Sequence, residues 1–191
     1  MNKIILASTS PRRKELLERE GIDFIVDASF IEEVMDETLD IETKLTKLAT
    51  QKALPIHEKY PDDIVIGADT VVYLDGEIIG KAKDEKHARD ILNRLSSRDH
   101  EVYTGVAIFI QDTLHTFCEK TIVSFKDISN MIDDYIESGE WVGKAGAYGI
   151  QGSADCFVSK VDGDIDSVIG LPVHKVVEMI RTHLKGENDD G

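Results

Sequence analysis

Cysteine is scarce: Cys118 and Cys156 are the only two in the 191-residue chain. Neither has a partner at the spacing of a metal site, so both are expected as reduced, buried thiols. The histidines, His57, His87, His100, His115, His174 and His183, likewise show no ligand spacing, which argues against zinc. No apolar run approaches the ~20 residues that span a bilayer. The opening Met1-Asn2-Lys3, followed by Ile4 to Ala7, is too short in apolar residues for a signal peptide. Positive charge is also in deficit, with 22 Lys and Arg against 37 Asp and Glu, a formal net charge of −15. Gripping a long nucleic acid by its phosphates needs clustered Lys and Arg, so a nucleic-acid polymer is excluded as a partner, and so is a membrane. A small anion is not excluded, provided that cations gather locally or a metal ion neutralises it. Repeats, low-complexity tracts and obvious linkers are missing too. With 41% hydrophobic residues, the composition is that of a folded chain rather than a disordered one. These absences describe a cytoplasmic protein with one domain over residues 1–185 and an acidic, solvated tail over 186–191.

What is present is an alternation of strands and helices. Ile4 to Ala7 forms a short buried strand, and Ser10-Pro11 opens a helix through Glu20, with Ser10 as N-cap and Gly21 at the far end. Ile22 to Val26 forms a second strand, followed by an acidic loop with Glu32-Glu33. Ile41, Leu45, Leu48, Ala49 and Ala53 recur at helical spacing. Ile64 to Ala68 is an apolar strand, and Val71 to Leu74 and Glu77 to Ile79 make a hairpin around Asp75-Gly76. Ala88, Ile91, Leu92 and Leu95 mark another helix, and two long strands at about 101–111 and 114–125 pair through 111–113. A short helix over 129–138, a glycine-rich loop at 143–152, a strand at 156–161 and a helix opened by Pro172 complete the chain. Helix alternation together with hairpins implies a mixed sheet in an α/β protein.

Three places break the rules of structural economy. In Ser8-Thr9-Ser10-Pro11-Arg12-Arg13, two arginines occupy the first turn of a helix, the positive end of its dipole. An anion there removes the mismatch, and backbone N–H groups, hydroxyls and guanidinium forks make a polyphosphate cradle. The plain alternative is a capped helix with two solvated arginines. In Ile66-Gly67-Ala68-Asp69-Thr70, Asp69 is expected just past a strand's carboxyl end, where α/β sheets bind ligands. It can coordinate a hard cation, accept a proton from water, or simply form a turn. Gly143 to Gly152 contains four glycines, which permit close backbone approach, and Gln151, whose amide both donates and accepts. Its spacing matches neither a P-loop nor a dinucleotide fingerprint, and a flexible loop with a solvated Gln is the competing reading.

Taken together, Ser8 to Leu17, Gly67-Ala68-Asp69-Thr70-Val71-Val72, Gly80-Lys81, Lys144 to Gly152 and Gly170-Leu171-Pro172 resemble the Maf family of nucleotide pyrophosphatases. The resemblance runs from about residue 3 to 184, in the family's order and spacing. It implies an elongated mixed sheet flanked by helices, with two lobes around a cleft, similar to the inosine triphosphate pyrophosphatases. Within the family, the Gly-Ile-Gln form of the loop, with Arg12 and Thr70, resembles the branch acting on dTTP and UTP. The implied reaction converts a nucleoside triphosphate and water to the monophosphate and pyrophosphate. By resemblance, Asp69 is the general base and Glu33 joins it at a metal site for Mg²⁺ or Mn²⁺. Ser8, Arg12, Arg13, Lys52 and Lys81 hold the triphosphate, and Arg12, Thr70 and Gln151 bear on base choice. A homodimer is compatible with this reading.

Ala82 departs from the proline the family often has after Gly-Lys, and Asp164-Ile165-Asp166-Ser167 is unusually acidic; the latter is expected as a hairpin tip rather than a metal site. Trp141 and Tyr148 are expected to pack rather than stack on a base. Two other functions compete. One is a regulator of septum formation acting by partner binding, and the other is an inosine or xanthosine triphosphatase of related fold.

Overall fold

In the computed structural model, which describes residues 2–189, the sheet is mixed as expected. Its main path runs β2 (Ile25–Val26), β1 (Ile4–Leu6), β3 (Ile64–Leu74), β5 (Asp99–Ile110), β6 (Thr113–Phe125) and β7 (Val158–Asp162). β4 (Glu77–Ile79) pairs with the far end of β3. The β1 pairings with β2 and β3 are parallel, and all the others are antiparallel. The long hairpin turns through Gln111-Asp112 alone, with Ile110 opposite Thr113.

Among the described residues the α-helices are α1 (Pro11–Arg19), α2 (Ile41–Lys59), α3 (Glu85–Leu95), α4 (Ile132–Ser138), α5 (Ile165–Ile169) and α6 (Val173–Asp189). α2 and α3 start as helices should, with the Asp40 and Asp84 carboxylates accepting from the amides of Thr43 and His87. α1 starts differently. Ser10 stands at its N-cap, but its hydroxyl makes no capping hydrogen bond. α6 continues to Asp189, into the segment that composition assigned to a tail; Asp190 and Gly191 lie outside the described residues.

Alternation along the strands sends successive side chains to opposite faces. On one face Ile5, Val65, Ala107 and Phe109 meet Ala49, Ala53 and Ile56 of α2. α2 lies unusually close here. A Cβ at Gly67 would come 2.5 Å from the Ala49 carbonyl oxygen, and one at Gly105 would come 2.5 Å from that of Leu45. On the other face, Leu6, Ile66, Ala68, Val106 and Ile108 pack with Leu16 and Leu17 of α1 and with Val176, Val177 and Ile180 of α6. Further along the same strands, Val72, Leu74 and Val102 join α3, α4 and the glycine-rich loop in a second apolar core. Between these two cores runs a polar seam. Thr70 and Thr104 hydroxyls are 2.8 Å apart, Thr104 donates to the Ser167 carbonyl at 2.7 Å, and Thr121 and Ser167 hydroxyls meet at 2.9 Å. The mixed sheet flanked by helices is the architecture that the resemblance implied.

Three local expectations need correction. Asp69 does not follow a strand end: β3 runs unbroken from Ile64 to Leu74, with Asp69 opposite Gly105 and Thr70 opposite Thr104. β1 stops at Leu6, opposite Ile66, so Asp69 lies beyond the carboxyl end of the neighbouring parallel strand. The 164–167 segment is not a hairpin tip. Asp164 accepts from the amide of Asp166 and starts α5, and the buried Asp166 carboxylate takes both arms of Arg19, at 3.0 and 2.5 Å. Cys156 is exposed rather than buried, because its 3₁₀ turn points Ala154 and Phe157 inward instead. Cys118 is partly buried, and burial pushes its thiol up to about 12.

Candidate active site

The chain leaving β1 folds back on itself through Ser8. The Ser8 hydroxyl accepts from the Ser10 amide at 3.2 Å and from Arg13 Nη1 at 3.1 Å. Arg13 also donates through Nε to the Gly170 carbonyl at 2.7 Å and through Nη2 to the Thr70 hydroxyl at 3.3 Å. Its guanidinium therefore ties the start of α1, the polar seam and the end of α5 together. Desolvation lowers its pKa below the ordinary value, opposed by the charge of Asp69. The guanidinium of Arg12, its neighbour, makes no hydrogen bond or ion pair among the described residues, and the residue lines the cleft. The sequence offered two equivalent arginines; the structure separates a strut from a free cation.

On the opposite face of β3, the close seating of α2 over Gly67 and Gly105 brings Lys52 down to Asp69. The Lys52 ammonium donates to Asp69 Oδ1 and lies 3.1 Å from Glu33 Oε1. Glu33 comes from the loop between β2 and α2. That loop is pinned by Gln51, whose amide accepts from the Val34 N–H at 3.0 Å and donates to its carbonyl at 2.8 Å. Asp69 Oδ2 accepts no hydrogen bond among the described residues. Two carboxylates thus share one lysine, and one carboxylate oxygen remains available to a water or a cation.

The third wall is the glycine-rich loop. The backbone of Lys81 bridges to Ala145 in antiparallel fashion, and the Gly146 amide donates to the Gly80 carbonyl at 3.1 Å. Lys81 and Gln151 are exposed at the rim. Tyr148 is buried; its hydroxyl and His100 Nε2 are 2.8 Å apart, and its ring meets Phe125 edge-on. Trp141 donates to the Ile136 carbonyl at 3.2 Å. Both rings anchor the loop by packing. Two of the loop's glycines admit side chains rather than a ligand. A Cβ at Gly149 would meet Lys144 Cε at 2.9 Å, and one at Gly152 would meet Glu140 Oε2 at 2.1 Å.

These walls enclose one cleft of about 550 Å³. All nine residues singled out in the sequence line it: Ser8, Arg12, Arg13, Glu33, Lys52, Asp69, Thr70, Lys81 and Gln151. Sequence reasoning passed over two more, Lys144 and Phe30. Lys144 had only its place beside glycine to mark it. Phe30 is 97% exposed at the cleft mouth, and in sequence it was one apolar residue in an acidic loop. Among the described residues, no three His, Cys, Asp or Glu side chains converge as a metal cage. The Asp69–Glu33 pair nonetheless suits a hard cation that takes one or two carboxylates and fills its remaining positions with water and phosphate oxygens. No described helix is long and apolar enough to cross a membrane.

A mixed α/β fold whose cleft sets a carboxylate pair beside several cations defines a protein equipped to hold a polyanion and act on it. The family described as "Maf-like protein" matches residues 3–183, and the chain belongs to that family. A dTTP/UTP pyrophosphatase of Bacillus pumilus is 46% identical over 183 residues, covering 95% of this chain and 97% of that protein. One of Bacillus anthracis, bearing the same name, is 44% identical over 95% of each chain. A solved nucleoside-triphosphatase (dITP/XTP pyrophosphatase) of Mycobacterium abscessus is 16% identical, with a TM-score of 0.40 over 64% of this chain and 72% of that one. That likeness is too distant to bear on what the cleft binds.

Proposed function

We propose that the protein is a nucleoside triphosphate pyrophosphatase that converts dTTP and UTP to the monophosphate and pyrophosphate, clearing them from the cytoplasmic nucleotide pool. The observation that carries this reading is the meeting, in one cleft, of the Asp69–Lys52–Glu33 group with Arg12, Arg13 and Lys81. The names of the relatives supply the substrate class.

In this reading the triphosphate lies among Arg12, Arg13, Lys52, Lys81 and the Ser8 hydroxyl. Asp69 orients a water toward the α-phosphorus and takes its proton. The new bond joins the water oxygen to that phosphorus. The bond to the oxygen bridging the α- and β-phosphates breaks, and the electron pair departs with pyrophosphate. Charge grows on that leaving group, and the fixed cations stabilise it. Lys52, held by two carboxylates, keeps Asp69 in place without lending its charge wholly to substrate. Asp69 and Glu33 would hold Mg²⁺ or Mn²⁺, whose contribution when bound is to offset phosphate charge. Arg12, Thr70 and Gln151 bear on the base. The Thr70 hydroxyl is engaged with Thr104 and Arg13, so it shapes the pocket by fixing its neighbours. The working assembly is proposed as a homodimer, which sedimentation of the purified protein tests.

The direct experiment is pyrophosphate release from the common nucleoside triphosphates, with and without Mg²⁺ or Mn²⁺. Turnover of dTTP and UTP well above that of ATP and GTP is expected. Preference for GTP or ITP, or no release from any of them, would overturn the assignment.

A further inference from the structure

Lys144 lies in the cleft wall with its side chain 17% exposed, and its ammonium makes no hydrogen bond among the described residues. The carboxylate paired with it among the described residues, Glu140 Oε2, is 4.0 Å away and already accepts from the Ser153 amide at 3.0 Å. The lysine is held in place by shape instead. Its stem crosses Gly149, where a Cβ would come within 3.0 Å of Nζ. Desolvation lowers its pKa, Glu140 opposing, and the nearby positive charge of Arg12 lowers it further.

An ammonium withdrawn from water and set near a guanidinium is unfavourable unless an anion lies between them. Lys81 lines the same cleft, its backbone bridged to Ala145, the residue after Lys144. On the Asp69 side, by contrast, the ammonium of Lys52 is shared by two carboxylates. Arg12, Lys81 and Lys144 therefore put three positive charges on the wall of one cleft, and among the described residues Glu140 is the carboxylate that partly offsets Lys144. A neutral base edge would not relieve that repulsion, whereas a phosphate chain would.

We propose that Lys144 is a further substrate ligand, binding the triphosphate chain together with Arg12 and Lys81. This deepens the pyrophosphatase reading and rests on it for the identity of the substrate, although the anion site is testable alone. The experiment is calorimetric titration of wild type, Lys144→Met and Lys144→Arg with inorganic tripolyphosphate and with thymidine, alongside thermal melts of each. Methionine keeps the stem across Gly149 and removes the charge. Tripolyphosphate affinity should fall about tenfold or more in Lys144→Met, the usual scale for a charge-assisted hydrogen bond. Arginine should restore most of it, and thymidine binding should not change. If the Met variant melts too low to titrate, Lys144→Gln, which keeps a polar tip beside Glu140, takes its place.

Unchanged tripolyphosphate affinity would overturn the proposal, and so would a loss confined to thymidine. Equal losses in the Met and Arg variants, matched by equal falls in melting temperature, would make Lys144 a loop strut and overturn it too. The two readings fail separately. Wild type that binds tripolyphosphate through Lys144 but releases no pyrophosphate from dTTP or UTP would sink the enzymatic assignment alone. Wild type that turns over dTTP, with a Met variant that binds tripolyphosphate as tightly, would sink the Lys144 proposal alone.

Discussion

The two sides of the cleft hold their charges in opposite ways. Around Asp69 and Arg13 the charges other than Arg12 are tied to the protein: Lys52 to two carboxylates, and Arg13 to Ser8, Thr70 and Gly170. Across the cleft, the side chains of Lys81, Lys144 and Gln151 make no hydrogen bond within the described residues, and the glycine-rich loop is anchored through Tyr148, Trp141 and Glu140 instead. The first side is set before substrate arrives, as a reacting group needs to be. The second holds its backbone still and leaves its side chains to the ligand. The same types of residue therefore answer mutation differently according to the side on which they stand.

The largest effect belongs to the fixed side. Asp69→Asn keeps the shape and removes the proton acceptor, so kcat for dTTP should fall at least a hundredfold, the ordinary scale of general-base catalysis. The variant should stay folded and bind dTTP nearly as before. Retention of a tenth of wild-type turnover would remove Asp69 from the base role and blur the distinction between the two sides.

Arg12 and Arg13 test the distinction within a single turn of helix. By position in the sequence both carry one expectation: loss of triphosphate affinity with little loss of stability, since a cation leaves the positive end of a helix. The structure keeps that expectation for Arg12 alone. Arg13→Ala deletes three hydrogen bonds, one of them to the Gly170 carbonyl, and should cost roughly 2–4 kcal/mol of folding stability. Arg12→Ala should stay within ~0.5 kcal/mol of wild type. Chemical denaturation of both variants decides it; equal stabilities would show that Arg13 is not the strut.

The loop's anchor is expected to be pH-sensitive. Burial lowers the His100 pKa to about 4, with the charge of Asp99 opposing. Below the unfolded value of ~6.5 the unfolded chain binds the proton and the folded one does not. Stability is therefore full above that value and is lost as pH falls toward 4. The loss should reach roughly 2 kcal/mol between pH 7 and pH 5. His100→Gln, which cannot charge, should flatten denaturation midpoints over that window. An equal decline in both proteins would place the sensitivity elsewhere.

Much of this could be read from the sequence, and what was missed has physical causes. Periodicity exposed α2 and α3, and β-branched runs exposed the long strands, because burial of one face dictates those patterns. The polar pair Asp69-Thr70 broke one apolar run and hid the continuity of β3, since the ladder bonds that carry a strand through a cleft are made by backbone. The acidic 164–167 segment concealed α5 because its stability comes from Arg19, distant in sequence. Residue type pointed to Ser8, Arg12, Arg13, Asp69 and Gln151, and the family resemblance added Glu33, Lys52, Thr70 and Lys81. Residue type did not distinguish Arg12 from Arg13, or mark Lys144, because those differences lie in which partners the fold supplies.

The smallest predicted effect concerns Gln151. Uracil and thymine present an N3–H donor between two carbonyl acceptors, and the Gln amide can answer one donor and one acceptor together. Cytosine offers an unprotonated N3 and an amino group, so only a flipped amide would meet it. Were this pairing fully buried, a mismatch would leave polar groups unpaired at ~1–3 kcal/mol each. Gln151 is exposed at the rim, where water can replace a missing partner, so the cost falls at the low end, about 1 kcal/mol. Gln151→Ala should therefore reduce the preference for dTTP over CTP, measured as a ratio of kcat/KM, by about fivefold, and the rate on dTTP should fall. Melting temperature should not move, because no described contact is lost. An unchanged ratio would take base reading away from Gln151. A fiftyfold change would mean that the rim closes over the base once substrate is bound, and that this side of the cleft becomes as fixed as the other.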